Sequence, residues 1–256
     1  MKLYKFFFTA LLILAFIGCK SQPAVTGNTA GSGGGGSGDI VVTGSPALLN
    51  LDFNDPGKPV PFTINEHSNL AGCLIDYQDG KLRITNKMAG SPYWIQTDPI
   101  LGRELQDFFW QFEYTPQQTT WESNWFSFRV HGGDINQTYH LHFICQNGLD
   151  MRDQANVAKN NDNVQVHVVT GPQREALVAS TRLAWYGAGR PIMIRIVGED
   201  DNCKIWVWRK GRELPEKPTF NFEMDSPGLN KGDFMIVSWD SEFLLDDMVL
   251  FDRAKP

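Results

Sequence analysis

From Leu48 onward the chain alternates short runs of β-branched and aromatic residues with clusters of Gly, Asn, Asp and Pro, and no long stretch keeps a helical period. The runs include "LLNLDF", "GKLRITN", "DFFWQFEYT", "WFSFRVHG", "YHLHFICQ", "NVQVHVVT", "IMIRIVGE", "KIWVWRKG", "FMIVSW" and "DDMVLFD". Many short strands separated by turn chemistry leave a sandwich or a barrel as the available architectures. The expected fold class is therefore all-β.

The first 45 residues follow a different grammar. "MKLYK" is a positive end, "FFFTALLILAFI" an apolar run, and "GC" places a small residue before Cys19. This pattern reads as an export signal over residues 1–18. It resembles the lipobox of bacterial lipoproteins, in which the cysteine becomes the lipidated first residue, although Phe16 stands where leucine is usual. A plain cleaved signal or an uncleaved anchor are the alternatives. The stretch after Cys19, "KSQPAVTGNTAGSGGGGSGDIVVTGSP", is too rich in Gly and Ser to bury surface and reads as a tether over residues 19–45. The expected arrangement is an exported protein at the outer membrane or cell surface, held by a lipid anchor, with one folded domain over residues 46–256.

A formal net charge of -6 argues against a nucleic-acid partner, whose phosphates require a basic patch. Besides Cys19, Cys73, Cys145 and Cys203 remain, an odd number that excludes a disulfide framework.

Strand parity gives the sharpest reading, since alternate side chains leave a strand on the same face. In "WFSFRVH" the apolar set is Phe126, Phe128 and Val130, which leaves Trp125, Ser127, Arg129 and His131 opposite. In "YHLHFIC" the opposite set is His140 and His142; in "NVQVHVV" it is Gln165 and His167; in "IMIRIV" it is Arg195. "FFWQFEY" sends Gln111 and Glu113 outward or is buried on both faces. Four of the five histidines thus fall on faces turned away from the core. If these strands are neighbours, about 4.8 Å apart, their side chains form one polar floor. Arg, Gln and neutral His match paired sugar hydroxyls, and aromatic rings match the flat C–H faces of sugars. The candidate glycan-binding set is Trp125, Arg129, His131, His140, His142, Gln165, His167 and Arg195. Trp94, Trp121, Trp185 and Tyr186 are candidates for the rim, while Trp110 and Trp239 are expected in the core. Arg129 and Arg195 together suggest an anionic sugar. A solvated outer face is the plain alternative.

The "LLNLDFNDP" opening, "DYQDGKLRITN" and the closing "SEFLLDDMVLFDRA" resemble the concanavalin A-like lectin/glucanase superfamily. That resemblance implies a two-sheet antiparallel jelly-roll β-sandwich with sugars on its concave face. It also implies a structural calcium tying the first strand to the last, for which the matching positions are Asp52 and Asp247. No organic cofactor is expected. Relatives include carbohydrate-binding modules, laminin-G-like adhesion domains, glucanases, polysaccharide lyases and 3-keto-disaccharide hydrolases. The glucanase motif of the E-x-D-x-x-E type is not met, since "FEMDSPG" supplies Glu223 and Asp225 but Gly228 at the third position. A lyase could use His131, His140, His142 or His167 as base with Arg129 or Arg195 to neutralise a carboxylate. A 3-keto-hydrolase-like enzyme could pair Glu113 with His131. No complete catalytic motif is visible, so recognition without catalysis is favoured. His140 and His142, about 6.7 Å apart along a strand, could also share zinc with His131 or His167. No carboxylate or cysteine stands clearly beside them, and calcium is the favoured metal.

Overall fold

The computed structural model describes residues 47–65, 73–86, 94–117, 122–131, 139–147, 163–171, 174–223, 229–239 and 241–253. Cys19 and the tether lie outside them. Fourteen strands run through the described residues, which contain no helix. They are β1 (Leu49–Leu51), β2 (Cys73–Gln78), β3 (Lys81–Asn86), β4 (Trp94–Gln96), β5 (Phe108–Pro116), β6 (Glu122–Val130) and β7 (Tyr139–Asn147). The second half supplies β8 (Asn163–Thr170), β9 (Glu175–Arg182), β10 (Ile192–Glu199), β11 (Asn202–Arg209), β12 (Phe220–Glu223), β13 (Asp233–Trp239) and β14 (Glu242–Asp252).

Two antiparallel sheets result. One has the order β12-β11-β10-β5-β14-β3-β2, with β1 paired to β14, and the other the order β4-β13-β6-β7-β8-β9. The first and last strands of the domain therefore do pair, at Leu49–Leu250 and Leu51–Met248. Between β2 and β3, Asp79 and Gly80 both take positive φ, 52° and 73°. That is the two-residue turn whose twist suits a tight hairpin, and it accounts for the "DG" in the sequence.

The core is aromatic. Phe108, Trp110, Phe112 and Tyr114 alternate inward from β5 and meet Phe126 and Phe128 of β6 and Phe234 of β13. Ring centroids stand 4.4 Å apart for Phe112–Phe126, 5.2 Å for Trp110–Phe234 and 4.9 Å for Phe108–Phe234. Burying each such side chain contributes on the order of 2–3 kcal/mol, so this seam holds the sheets together. Gly198 in β10 is required by it, because a Cβ there would stand 2.5 Å from the Phe108 ring. Strand β5 is buried on both faces, since Phe109 and Glu113 on the outward side are also covered.

Among the described residues, three β-bulges interrupt the alternation. Phe128 pairs with Phe234 but Val130 with Asp233, so Arg129 is an extra residue, with φ of 56°. Val166 pairs with Ala179 but His167 with Leu177, so Val178 is extra. Glu113 pairs with Asp246 but Gln111 with Val249, and Asp247, at φ 47°, lies inside that extra turn of chain. Beyond a bulge every side chain changes face.

Candidate functional site

The outward face of the six-stranded sheet carries the imidazoles. Leu141, Phe143 and Cys145 of β7 enter the core, and His140 and His142 point away, as parity requires. On β8, Val164 and Val166 enter the core and Gln165 and His167 point away. The register sets His142 opposite Ser127 on one side and His167 on the other. Trp125 lies against His142 with centroids 4.6 Å apart, and Trp239 against Trp125 at 6.1 Å. Trp239, expected in the core, is half-buried on this face instead.

The imidazoles are chained. His140 Nε2 is 3.1 Å from His142 Nδ1, and His142 Nε2 is 3.0 Å from Glu175 Oε1. His167 Nδ1 lies 2.6 Å from the same Glu175 oxygen but without hydrogen-bond alignment, while its Nε2 is 2.7 Å from Gln165 Oε1. Glu175 reaches this face only because of the bulge at Val178: without it, period-two alternation from the inward Ala179 would turn Glu175 to the core side. Parity reading of the sequence did not find this carboxylate, and the one available signal was its place at the head of β9.

Electrostatics follow from burial. His142 is 1% exposed, and loss of solvent pulls its pKa below the ordinary imidazole value, with Glu175 opposing. It is therefore neutral at pH 7. The hydrogen bond from His142 and the His167 imidazole hold the Glu175 carboxyl well below the usual carboxylate range. The site thus pairs a neutral imidazole with an ionised carboxylate.

An open floor of histidines was expected; the structure corrects this. His140 and His142 are both 1% exposed, and the groups of the row that reach the surface are Trp125, Trp239, Gln165, His167 and Glu175.

Other predicted residues stand elsewhere. Arg129, at its bulge, is fully buried and donates from Nη1 to the Leu229 carbonyl at 2.7 Å. Its Nη2 donates to the carbonyls of Gln106 and Asp200 at 3.0 and 2.6 Å. It is a structural cation beneath the sheet end. Val130 is carried by the same bulge from the core to the outer cluster with Met235, Val237 and Trp125. His131, past the bulge, pairs with Glu104 at 3.1 Å rather than with the other histidines. Arg195 lies on β10 in the eight-stranded sheet. Its guanidinium sits 5.1 Å from the Phe109 ring centroid and 5.5 Å from that of Trp208, bonded to Gln111. Trp206 and Trp208 share that outer face. Tyr186 is in the core, 6.4 Å from Tyr114, and Trp185 packs at 5.5 Å under Arg209. Trp121 lies outside the described residues, and of Trp94 the strand alone is described.

Glu113 is also on the eight-stranded sheet, with both oxygens ion-paired, one to Lys81 and one to Lys210. It cannot work with His131. Asp246 and Asp247 gather around it, and Lys81 and Lys210 approach them at 3.6 Å each. Burial and neighbouring Asp247 push Asp246 above the usual carboxylate range. For Lys210, burial works downward but is outweighed by Glu113 and the two aspartates, which raise it. Asp52, the other calcium candidate, is not in this group; its Oδ1 accepts a long bond, 3.4 Å, from the Asn54 amide. Calcium takes six to eight oxygens. The donor set here, with two ammoniums already on Glu113, does not fit it.

No protein-family model matches the chain, and no curated protein matches it. Solved structures do. A protein of unknown function with a galectin-like fold from Bacillus subtilis superposes with a TM-score of 0.57 at 12% identity, over 82% of this chain and 97% of that one. The exoplasmic/lumenal domain of VIP36 in its Ca2+/Man-bound form gives 0.56 at 12% identity, over 82% and 91%. Its metal-free form gives 0.54 at 11%, over 83% and 95%. At these identities the likeness is one of fold. Two antiparallel sheets, the pairing of the first and last described strands and these superpositions make the described domain an all-β jelly-roll sandwich of galectin-like fold.

Proposed function

We propose that the chain binds a glycan on the outward face of its six-stranded sheet, as an exported protein tethered through Cys19. The observation that carries the reading is a row of rings on four adjacent strands. Trp239, Trp125, His142 and His167 follow one another at 6.1, 4.6 and 5.5 Å, and Glu175 closes the row on the fifth strand. At about 4.8 Å per strand the row spans about 19 Å. Half-buried indole faces can pack on the C–H faces of a sugar, and Gln165, His167 and Glu175 can pair with its hydroxyls. The fold is shared with a domain whose solved form is described as Man-bound. The export signal and the Gly/Ser stretch after Cys19 support the tether.

The geometry favours a neutral glycan over an anionic one, because neither Arg129 nor Arg195 lies on this face and Glu175 does. It favours binding over lysis for the same reason, since the positive partner required by a uronate is missing from the two positions expected to supply it. Glu113 stands on β5 of the eight-stranded sheet and His131 just past the end of β6 of the other, which removes the acid/base pair of the hydrolase alternative. Trp206 and Trp208, on β11 of the other sheet, do not fill this face. The test is a panel of neutral and uronic-acid glycans presented to the full-length chain and to Trp125→Ala. Binding to neutral members that Trp125→Ala loses while keeping its melting temperature supports the reading. A blank panel, or equal binding by the variant, refutes it.

A further inference from the structure

We propose that His142, His167 and Glu175 form a transition-metal site, with zinc as its natural occupant and one coordination position left for an exogenous ligand. It does not depend on the glycan reading.

Three independent features converge. The first is the donor set. One ligand atom from each residue can be chosen so that all lie within 4.8 Å of one another, with 3.0 Å between His142 Nε2 and Glu175 Oε1 and 2.6 Å between His167 Nδ1 and Glu175 Oε1. Ligands about 2.0–2.1 Å from a tetrahedral zinc stand about 3.3–3.4 Å from each other. The carboxylate oxygen therefore needs to part from each nitrogen by less than about 1 Å, and the two nitrogens, within 4.8 Å of each other, to close by no more than about 1.5 Å, for the ion to enter.

The second is the state of His167. Its Nε2 is 2.7 Å from the Gln165 side-chain oxygen, an acceptor that turns this nitrogen into the donor. Its Nδ1, a buried atom, lies 2.6 Å from Glu175 Oε1 off hydrogen-bond alignment. A ring nitrogen and a carboxylate oxygen held that close without a hydrogen bond face one point, where a metal ion would join them.

The third is the outer shell. A histidine that binds metal through one nitrogen donates from the other to a fixed acceptor, which sets its tautomer. Both rings here have that acceptor in place. His142, ligating through Nε2, would donate from Nδ1 to His140 Nε2, 3.1 Å away, and His167, ligating through Nδ1, would donate from Nε2 to Gln165. The otherwise odd succession of His140 behind His142, and Gln165 beside His167, acquires a purpose.

Ligand type and access agree. Two imidazoles and a carboxylate suit zinc and its neighbours and not calcium or magnesium, which want oxygen alone. The Glu175 side chain is 41% exposed while that of His142 is 1%, so the ion would be held from the sheet side and open toward solvent. His2Glu with one free position is the ligand pattern of zinc sites that take up water or substrate.

The experiment uses the full-length chain stripped with a chelator and dialysed, and measures zinc by isothermal titration and cobalt by its visible spectrum. The expected result is one zinc per chain, a raised melting temperature, the intense absorption of four-coordinate cobalt, and no response to calcium. His167→Ala and Glu175→Gln, both at solvent-accessible positions, should each weaken zinc by more than the ~10–100-fold typical of losing an outer-shell partner. Zinc that leaves the melting temperature unchanged, or that binds the two variants as well as the parent, overturns the proposal. Glycan binding by the metal-stripped chain is scored separately, so loss of the metal reading and loss of the sugar reading give different results.

Discussion

Replacing Arg129 by Met separates a structural from a sugar-binding role for the arginine that the sequence places on the same strand face as Trp125. Methionine keeps an unbranched stem of similar length, so packing against Phe108, whose ring centroid is 6.0 Å from the guanidinium carbon, is largely retained. The left-handed backbone at φ 56° costs both residues alike and cancels. What disappears is the donor to the carbonyls of Leu229, Gln106 and Asp200. A buried acceptor left without its donor costs about 1–3 kcal/mol, so three give about 3–9 kcal/mol. Relief from burying a guanidinium, whose pKa burial alone pulls down, offsets part of this. A net loss of about 3–5 kcal/mol is expected, which for a domain of this size is a fall in melting temperature of about 6–20 °C. Urea and thermal unfolding followed by tryptophan fluorescence measure it, alongside glycan binding below the transition. A melting temperature within about 2 °C of the parent, or a folded variant that no longer binds the glycans bound by the parent, would refute the argument.

Two further outcomes follow from the charged clusters. Acidification should destabilise the domain. The unfolded chain protonates its histidine near pH ~6.5 whereas burial holds folded His142 lower, so stability is full above that pH and declines as pH falls through the folded value. Glu175, also depressed, adds a loss that begins below about pH 4.3. A urea midpoint that stays flat from about pH 8 to pH 4 would contradict the His142 assignment, and one that stays flat from about pH 4 to pH 2 the Glu175 assignment. At the other sheet, millimolar calcium should leave the melting temperature where it was, since Lys81 and Lys210 already hold both oxygens of Glu113; a clear rise would show that the Asp246–Asp247 bulge accepts the ion.

Alternation in the sequence was enough to place Leu141, Phe143, Cys145, Val164 and Val166 in the core and His140, His142, Gln165 and His167 on the reverse side, because β7 and the first part of β8 pair without interruption. The turn at Asp79–Gly80 was legible for a similar local reason: the residue types state the backbone angles. Two kinds of information were not local. Which strands share a sheet is set by long-range pairing, and Arg195 and Glu113 were lost to the histidine face for that reason alone, on β10 and β5 of the other sheet. Nor does the two-residue period announce where it is broken.

Several of the remaining misplacements sit at or just beyond a bulge. Arg129 occupies one, and Val130 and His131 follow it; Glu175 lies past another; Asp247 is within the third. The positive φ of Arg129 and Asp247 leaves no mark in the sequence, since neither is the glycine that such angles normally select. What pins the first bulge is instead distant. A Cβ on Gly232 would stand 2.2 Å from the Arg129 carbonyl carbon, so that glycine lets β13 approach, while the carbonyls that hold the guanidinium come from Gln106, Asp200 and Leu229. The second bulge has the greater consequence. By inserting Val178 it rotates a carboxylate from the core side of β9 onto the imidazoles of β7 and β8. A face that parity describes as histidines and a glutamine becomes, through one extra residue on the neighbouring strand, a face with the charge and donor set to hold a metal ion.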